Sequence, residues 1–412
     1  MHPNSEAPRP CTSDESVSAP HWPTILPGST VGILGGGQLG RMMVLAGRRM
    51  GYRFATMDPT PDSPAGQVSD IQVVQDFTSV HGARELARHS DVITYEFENV
   101  DSGVASLLEG EAYVPQGSRL LFLTQHRLRE KRAVTAAGAT VAPYYPVASR
   151  RDFFQGLSEL GYPSILKTCV GGYDGKGQWL VQTEDDAEQV WAEIGHRFFR
   201  TSAPPDDASP SADAFLVLEQ MVPFERELSV VVARNPRGQI CTFPVAENIH
   251  RNHILHLSIV PARIPEETAR RACDVATAIA SHLNLVGVMG VELFQLEDGR
   301  IFVNELAPRP HNSGHFTMDA CATSQFEQHI RALCNLPLGA VELWSPVVMV
   351  NILGEHVAAV NSALAEMPDC VKVHYYGKAE VRNGRKMGHL NVLGATVEDA
   401  MAAISQLGIW PE

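Results

Sequence analysis

Two glutamates in apolar surroundings are the residues whose chemistry is most distinctive. Glu292 and Glu305 each lie in a short apolar run, and a turn at residues 297–299 separates the two runs. A lone buried carboxylate is unfavourable, so two that lie close together indicate a shared cation. Mg²⁺ binds oxygen ligands from a few carboxylates and phosphates, and Asn304 can add a neutral oxygen. The pattern predicts a magnesium site at Glu292 and Glu305, whereas two solvated acids on edge strands are the alternative.

A glycine-rich loop follows a lysine at the end of a predicted strand. From Lys167 to Gln178 the chain has four glycines within seven residues, and a second strand begins at Gln178. The N–H groups of such a loop can surround phosphates while the lysine supplies positive charge. The order is not that of a Walker A loop, because Lys176 is followed by Gly177. The loop predicts phosphate binding, with a mobile hairpin tip as the alternative.

A strand that ends in polar residues is suited to an adenine ring. Residues 215–222 read Phe-Leu-Val-Leu-Glu-Gln-Met-Val, and Glu227 follows. Apolar side chains would cover the ring, the backbone would read its edge, and a carboxylate would accept the ribose hydroxyls. Considered alone, the segment is explained better as an ordinary strand end.

A second glycine motif lies near the start of the chain. Residues 35–40, Gly-Gly-Gly-Gln-Leu-Gly, fit G-x-G-x-x-G after a strand and before a helix, and Asp58 follows 18 residues after Gly40. Alone, this motif predicts a dinucleotide site and an NAD-dependent oxidoreductase. A helix N-terminus presents free N–H groups to any phosphate, however. We therefore expect the turn to bind the phosphate of a nucleotide substrate, with a basic pair at Arg385 and Lys386 as a second phosphate contact.

Alternating strands and helices must position these motifs. Apolar runs at residues 31–34, 52–57 and 91–96 predict strands of a parallel sheet with helices on both faces. A helix is predicted at residues 126–137, and the strand pattern restarts after Pro346. The division is a disordered extension at 1–29, a Rossmann-like domain at 30–125, a nucleotide-binding domain at 126–344 with a flexible insertion at 201–213, and a small C-terminal domain at 345–412.

The composition excludes several classes of protein. The 412 residues include 33 Lys and Arg and 47 Asp and Glu, so the net charge is −14. Such a surface repels nucleic acid, although local cations can still bind an anionic small molecule. No apolar run approaches the roughly 20 residues of a membrane span. The seven cysteines are scattered without C-x-x-C, which favours reduced thiols in a cytoplasmic protein.

Several strings resemble a known family. The loop GGYDGKGQ, the hinge EQMV with Glu227, and NELAPRPHNSGH resemble ATP-grasp ligases. The last string, with GGGQLGRM near the start and GRKMGHLN near the end, resembles N5-carboxyaminoimidazole ribonucleotide synthetases from residue 30 to about residue 395. The resemblance implies an ATP-grasp fold of mixed α/β and α+β class, with an N-terminal Rossmann-like (pre-ATP-grasp) domain and a small β-rich C-terminal domain. His126 departs from the family, which usually has Asp there.

Matching positions imply the binding residues. For ATP they are Arg127, Lys167, Gly172, Tyr173, Asp174, Gly175, Lys176, Gly177, Gln178, Glu219, Gln220, Met221, Val222, Glu227, His250, Asn304 and Glu305. For magnesium they are Glu292 and Glu305. For bicarbonate and its carboxyphosphate they are Arg309, His311, Asn312 and Ser313. For the aminoimidazole ribonucleotide they are Gly37, Gln38, Leu39, Glu96, Tyr173, Asp174, Lys378, Arg385 and Lys386.

The resemblance also implies a reaction. Bicarbonate would attack the γ-phosphate of ATP with Mg²⁺, Lys167 and Arg309 offsetting the charge, and the amine of the ribonucleotide would then be carboxylated. Asp174 would accept a proton, His311 would be catalytic, and the protein would be a cytoplasmic homodimer. Alternatives are another ATP-grasp carboxylate–amine ligase, such as a formate-dependent purine enzyme, and a non-catalytic nucleotide sensor, against which the two acids argue.

Two histidine patterns are discounted as metal sites. His250, His253 and His256 are spaced by three residues, and on one strand His253 would face away from the other two. Only His250 is retained, from the resemblance. His311 and His315 have helical spacing, but the Asn-Ser-Gly between them predicts a loop.

Overall fold

The computed structural model describes residues 22–171, 177–198 and 215–410. These residues form three β-sheets with helices packed against them. The first sheet is parallel, in the order β3-β2-β1-β4. Its strands are β1 (Thr30–Leu34), β2 (Arg53–Met57), β3 (Ile71–Val73) and β4 (Val92–Tyr95). The helices that accompany them are α1 (Gln38–Arg49), α2 (Val80–Arg88), α3 (Ser102–Glu111) and α4 (Arg119–Thr124). The predicted parallel sheet is confirmed.

The second sheet is antiparallel, in the order β5-β8-β6-β7. It is built from β5 (Tyr144–Val147), β6 (Ser164–Thr168), β7 (Gln178–Val181) and β8 (Leu216–Gln220). The helices of this region are α5 (Arg127–Ala136), α6 (Arg150–Leu160) and α7 (Glu184–Phe198). The glycine-rich loop joins β6 to β7, as the sequence predicts.

The third sheet has nine strands, in the order β14-β13-β9-β11-β12-β15-β17-β16, with β10 paired to β9. The strands are β9 (Phe224–Arg234), β10 (Ile240–Thr242), β11 (Ala246–Arg251), β12 (Ile254–Val260), β13 (Gly287–Leu296), β14 (Ile301–Ala307), β15 (Val347–Leu353), β16 (Val371–Tyr375) and β17 (Lys386–Leu393). The remaining α-helices are α8 (Glu266–His282), α9 (Thr317–Ala320), α10 (Gln325–Leu333), α11 (Val357–Ala363) and α12 (Val397–Gln406), and short 3₁₀ helices lie at Gly66–Val68, Asn312–Gly314, Gly354–His356 and Leu364–Glu366. None of the helices in the described ranges is long and apolar enough to cross a membrane.

Side-chain alternation gives the nine-stranded sheet two different faces. Helix α8 packs Ala272, Ala276 and Ile279, spaced by four and three residues, against Val230 and Val291 of β9 and β13. Each such buried aliphatic side chain contributes about 1.5–3 kcal/mol. Because neighbouring residues of a strand point to opposite faces, the residues next to these valines point away from α8. That opposite face is where the polar residues of β9 and β13 collect.

The predicted C-terminal domain shares this sheet instead of forming its own. Strand β15 pairs with β12 in an antiparallel register that places Val350 opposite Leu257. Strands β17 and β16 then extend the same sheet. The break in sequence pattern near Pro346 therefore marks a boundary along the chain but not a gap in the hydrogen-bonded sheet.

The expectation of disorder across residues 1–29 is wrong for residues 22–29. The Ile25 N–H donates to the Cys334 carbonyl at 3.1 Å, and the Tyr52 hydroxyl donates to the Ile25 carbonyl at 2.7 Å. The Asn335 amide donates to the Trp22 carbonyl at 2.9 Å. This segment is packed between the first domain and the loop after α10. Residues 1–21 and the predicted insertion at 201–213 lie outside the described residues.

Two truncated proteins can test the structural role of residues 22–29 separately from that of residues 1–21. We expect removal of residues 1–29 to lower the free energy of unfolding by about 1–3 kcal/mol relative to removal of residues 1–21, because each lost hydrogen bond contributes about 1 kcal/mol and Ile25 loses its packing. Urea denaturation of the two truncated proteins measures the difference. Equal unfolding free energies would contradict a structural role for residues 22–29.

Candidate active site

The two predicted metal ligands lie directly opposite each other on adjacent strands. Glu292 of β13 pairs in register with Glu305 of β14, and the Asn304 amide donates to Glu292 Oε2 at 3.4 Å. Burial raises the pKa of Glu305, and the charge of Glu292 raises it further against the opposing effect of Arg127. Two carboxylates that repel one another in this way, beside an amide oxygen, form a donor set that suits a divalent cation.

The donor set is incomplete without further oxygen ligands. No group of three His, Cys, Asp or Glu side chains among residues 22–171, 177–198 and 215–410 is arranged to hold a metal ion. Magnesium commonly binds one or two carboxylates together with substrate phosphates and water. The residues present therefore fit a magnesium ion that arrives with a nucleotide.

Two partly buried arginines line one cavity together with the acidic pair. Arg309 Nη2 donates to Glu98 Oε1 at 3.0 Å, and Arg127 Nη1 lies 3.5 Å from Glu305 Oε2. Burial opposes ionisation of Glu98, but Arg309 outweighs it and lowers the pKa of Glu98. The cavity also has residues of β7, β9, β11, β14 and β17 in its wall: Gln178, Glu227, Asn248, His250, Asn304 and Lys386. Cations and carboxylates thus alternate around one space that all three domains border.

His311 reaches the acidic pair because a glycine leaves room for it. A Cβ atom on Gly290 would lie 2.7 Å from the Cβ of His311, which is too close. His311 Nε2 lies 3.2 Å from Glu292 Oε1, and His311 Nδ1 lies 2.8 Å from the Ser313 hydroxyl. Burial raises the pKa of Glu292, but the hydrogen bond from His311, helped by that from Asn304, opposes burial, and the pKa of Glu292 is lowered.

A histidine and a glutamate from neighbouring strands form another wall. His250 Nδ1 lies 2.6 Å from Glu227 Oε2. Burial lowers the pKa of His250, but the hydrogen bond and charge of Glu227 outweigh burial and raise it. The prediction that His253 faces away from His250 is wrong. Residues 252 and 253 have positive φ and form the β11–β12 hairpin turn, so His253 lines the same cavity, while His256 lies on the next strand.

Behind the cavity, one buried carboxylate joins two lysines. Glu219 at the end of β8 binds Lys167 of β6 at 2.9 Å and Lys131 of α5 at 3.1 Å. Burial raises the pKa of Glu219, but the two lysines outweigh it and hold the pKa at about 2. The cluster carries more positive than negative charge, which favours a bound anion.

Models of three domain families match consecutive parts of the chain. A ribonucleotide synthetase preATP-grasp domain matches residues 29–125, an ATP-grasp domain matches residues 132–326, and a phosphoribosylaminoimidazole carboxylase C-terminal domain matches residues 347–403. The N5-carboxyaminoimidazole ribonucleotide synthase of Bacillus subtilis (strain 168) is 48% identical over 369 residues, which are 90% of this chain and 92% of that protein. The chain belongs to the N5-carboxyaminoimidazole ribonucleotide synthase family.

Solved structures of the family have the same fold. An ADP complex of N5-carboxyaminoimidazole ribonucleotide synthetase is 49% identical, with a TM-score of 0.87 over 94% of this chain and 98% of that one. The Aspergillus clavatus N5-carboxyaminoimidazole synthase in complex with ADP and 5-aminoimidazole ribonucleotide is 30% identical, with a TM-score of 0.82 over 92% and 97%. The predicted family, the ATP-grasp fold with its two flanking domains, and the ligase class are confirmed.

The first glycine turn differs from what we expected of this synthase. The Gly37 N–H donates to Glu96 Oε2 at 2.6 Å, and the Gly36 N–H donates to Asp58 Oδ2 at 3.0 Å. Burial raises the pKa of Glu96 to about 7, although the N–H groups of the turn oppose that rise. Carboxylates of the protein already occupy the N–H groups that we expected to hold a phosphate. A dinucleotide pyrophosphate would need the same N–H groups, so the turn gives the oxidoreductase alternative no support.

Basic residues of the C-terminal domain gather across from this turn. Lys378 donates to the Lys386 carbonyl at 2.7 Å. Burial lowers the pKa of Lys378 to about 8, with Arg385 adding to the decrease and Glu96 opposing it. Lys378, Arg385 and Lys386 therefore form a cationic group within the electrostatic reach of Glu96.

The remaining predicted residues of the synthase fall into three groups. Cavity-lining residues are Arg127, Gln178, Glu227, His250, Glu292, Asn304, Glu305, Arg309, His311, Asn312 and Lys386. Residues outside that lining are Gly37, Gln38, Leu39, Glu96, Lys167, Gly177, Glu219, Gln220, Met221, Val222, Ser313, Lys378 and Arg385, of which Met221 is exposed and Ser313 and Val222 are buried. Gly172, Tyr173, Asp174, Gly175 and Lys176 lie outside the described residues.

Several residues of the site, including Asn248 of the cavity wall, are not predicted from the sequence. Glu98, which pairs with Arg309, lies two residues after Glu96 at the end of β4. Lys131 lies four residues after Arg127, so helical spacing could have indicated that both share one face of α5. His253 was assigned to the wrong face because the Asn-His turn was not recognised as a hairpin turn.

Glu130 provides a pH-dependent test of the electrostatics. Burial raises its pKa from 4.5 to about 8, and the charge of Glu305 adds to the rise. A raised folded-state pKa means that the folded protein loses stability as the pH rises from about 4.5 through 8.

A Glu130→Gln variant keeps an oxygen for the Leu306 N–H. We expect its stability gain over the parent protein to be larger at pH 8 than at pH 5 in urea denaturation. The exposed Glu366→Gln is the control, and a gain independent of pH would contradict the assignment.

Proposed function

We propose that this chain carboxylates the amine of 5-aminoimidazole ribonucleotide to give N5-carboxyaminoimidazole ribonucleotide, with ATP and bicarbonate consumed and ADP and phosphate released, in de novo purine (IMP) biosynthesis. One observation carries the proposal: the opposed pair Glu292 and Glu305 shares a cavity with Arg309 and His311, beside the cationic residues of the C-terminal domain. The relatives named for this reaction have the same three domains over nearly their full lengths.

ATP is proposed to lie between the second and third sheets. Lys167 and Arg127 would bind its phosphates together with the loop at residues 172–178, and Glu227 with His250 would bind its ribose. Glu219 to Val222 would hold the adenine at the end of β8. The solvent-shielded Lys167–Glu219–Lys131 cluster supports this placement, because its excess positive charge favours a polyphosphate.

Glu292, Glu305 and Asn304 would hold magnesium when the nucleotide is bound. Such an ion supplies neutralisation of phosphate charge. The chain's own contribution is to hold the two carboxylates opposite each other and to place Arg127 within 3.5 Å of one of them. Removal of either carboxylate would leave the site with too little negative charge to bind the magnesium ion tightly.

Bicarbonate is proposed to bind between Arg309 and Asn312. Arg309 is held by Glu98, and both polar atoms of the Asn312 side chain are buried without a hydrogen-bond partner in the described part of the chain. A bicarbonate oxygen would form a bond to the γ-phosphorus while the bond to ADP breaks, which gives carboxyphosphate. The substrate amine would then bond to the carboxyl carbon, either as phosphate leaves or after carboxyphosphate has broken to CO₂ and phosphate, and Asp174 would accept the released proton. Closure of the glycine loop would exclude water.

The ribonucleotide is proposed to bind between the first and C-terminal domains. Its phosphate would contact Lys378, Arg385 and Lys386, because those cations lower one another's proton affinity and an anion would relieve their repulsion. Glu96 would face the ribose hydroxyls from the turn that contains Gly37, Gln38 and Leu39. Tyr173 would contribute from the glycine loop.

An assay of ADP release tests the proposed reaction. We expect release to require bicarbonate and to rise sharply when 5-aminoimidazole ribonucleotide is added. The site supplies cations for an oxyanion and for a nucleotide phosphate in the same region. Formate in place of bicarbonate is the control. Equal rates with formate would identify a different ATP-grasp carboxylate–amine ligase.

The acidic pair should behave as one unit in kinetics. We expect Glu292→Gln or Glu305→Gln to lower turnover by about two orders of magnitude or more, because each removes a preorganised charge. The double variant should be little worse than either single variant, and excess Mg²⁺ should partly rescue the single variants. Steady-state turnover of the parent protein and the three variants, measured at increasing Mg²⁺ concentrations, tests both expectations. Near-normal turnover in Glu305→Gln would contradict a shared metal site. Strictly additive losses of turnover in the double variant, with no recovery in excess Mg²⁺, would contradict it as well.

The phosphate contacts can be separated from the ATP site. We expect the double variant Arg385→Ala, Lys386→Ala to raise the KM for the ribonucleotide by about 10-fold or more, because charge-assisted hydrogen bonds contribute about 1.5–3 kcal/mol. The KM for ATP should change little. Arg382→Ala, an exposed position in the same loop, is the matched control. An unchanged KM for the ribonucleotide would place the phosphate elsewhere.

A homodimer and a cytoplasmic location are also proposed, from the resemblance. Trp344, which is 70% exposed, lines a groove of mixed polarity with Leu45 and Met318, and a second copy of the chain would cover this groove. Sedimentation velocity of the purified protein tests the dimer, and cell fractionation tests the location.

A further inference from the structure

A continuous line of hydrogen bonds runs from the interior of the nine-stranded sheet to His311. The Ser258 hydroxyl donates to Asn248 Oδ1 at 2.8 Å, and Asn248 Nδ2 donates to the Ser229 hydroxyl at 2.9 Å. The Ser229 hydroxyl then donates to the Ser313 hydroxyl at 2.7 Å. The Ser313 hydroxyl lies 2.8 Å from His311 Nδ1.

The register of the sheet explains why these side chains meet. Asn248 pairs with Ser258 across β11 and β12, and Ser229 of β9 pairs with Glu292 of β13. Paired residues on adjacent strands project from the same face. Ser229, Ser258 and Ser313 are each at most 1% exposed, and Asn248 is 8% exposed. The line therefore crosses three strands, β12, β11 and β9, beneath the cavity, where water competes little for its hydrogen bonds.

The carboxylate at one end gives the line a direction. An ionised carboxylate only accepts hydrogen bonds, so His311 Nε2 must carry the proton that faces Glu292 at 3.2 Å. A neutral imidazole with its proton on Nε2 must accept at Nδ1, and Ser313 is the donor within reach. Ser313 then has to accept from Ser229, and Ser229 from Asn248. The hydroxyls of Ser229 and Ser313 therefore each give one hydrogen bond and receive one.

We infer that Ser258, Asn248, Ser229 and Ser313 form a directional relay that holds His311 in the tautomer with its proton on Nε2, so that His311 orients Glu292 as a hydrogen-bond donor and does not act as a proton acceptor. These four are positioning residues. The inference deepens the proposed function and rests on it for the importance of Glu292. It also changes the predicted role of Ser313, whose hydroxyl is engaged by Ser229 and His311 and is not directed at bicarbonate.

The relay makes a specific prediction about polarity. Asn248→Asp replaces the donor that faces Ser229 with an acceptor, so Ser229 would donate to the new carboxylate and withdraw its hydrogen bond from Ser313. Ser313 would then donate to Ser229 and accept from His311, which moves a proton to Nδ1. His311 Nε2 would lose its ability to donate to Glu292 unless the ring became fully protonated.

Nitrogen NMR of ring-¹⁵N-labelled histidine reads the tautomer directly, and it needs no substrate. The His311 signals are assigned by their absence in His311→Gln. We expect Nε2–H with an unprotonated Nδ1 in the parent protein, and a protonated Nδ1 in Asn248→Asp. A parent protein with its His311 proton on Nδ1, or an unchanged tautomer in Asn248→Asp, would overturn the relay. Because this readout is independent of turnover, a parent protein that lacks bicarbonate-dependent ADP release would refute the proposed function without refuting the relay.

Kinetics give a second, independent readout. We expect Asn248→Asp to raise the Mg²⁺ concentration for half-maximal rate by about 10–100-fold, the range for loss of a partner that orients a metal ligand. Ser229→Ala should shift it in the same direction and serves if Asn248→Asp does not fold, which near-ultraviolet circular dichroism decides. Ser164→Ala removes an equally buried hydroxyl that donates to the Gly161 carbonyl outside the relay, and it should leave the Mg²⁺ dependence unchanged. Equal Mg²⁺ dependence in Ser229→Ala and Ser164→Ala would contradict the relay.

Discussion

The repulsion between Glu292 and Glu305 is the constraint on which the rest of the site depends. Antiparallel pairing of β13 with β14 places the two carboxylates opposite each other, and burial strengthens their mutual repulsion. Arg127 lies beside one acid, while His311 and Asn304 lie beside the other. His311 is itself held by Ser313, so this side of the acidic pair is arranged before any ligand arrives. Such preorganisation is what allows a site to stabilise charge without rearranging during a reaction.

The two faces of the nine-stranded sheet have different roles: one contributes apolar packing and the other carries the residues of the site. Helix α8 covers the face that carries Val230 and Val291, and this face supplies apolar burial. One residue away along each strand, Ser229 and Glu292 point to the opposite face, where the cavity lies. A shift of β13 by one residue would move Glu292 from the cavity face into the apolar layer. The same packing that stabilises the fold therefore fixes the position of the acids.

Much of this arrangement could be predicted because local patterns determine it. Apolar runs around Glu292 and Glu305, with a short turn between them, were enough to predict adjacent strands and a shared site. The partners of Glu96 could not be predicted, because the glycine turn looks the same whether its N–H groups bind a phosphate or a carboxylate from a distant strand. The relay through Asn248 and Ser258 was also invisible, since serine and asparagine in strands carry no signal of what they face. Contacts between residues far apart in sequence were the part that the sequence left open.

The continuity of β12 and β15 bears on how this protein is built from parts. The C-terminal domain is recognisable as a unit of sequence, but its strands β15, β17 and β16 continue the sheet that contains β12 and do not form a separate one. Separation of the two would leave the edge groups of β12 and β15 unpaired, and unpaired strand edges invite association with other chains. The domain is therefore a unit of sequence whose strands complete a sheet shared with the preceding domain. Rearrangements of the gene are constrained to keep both strands in one polypeptide or to replace the lost edge with another strand.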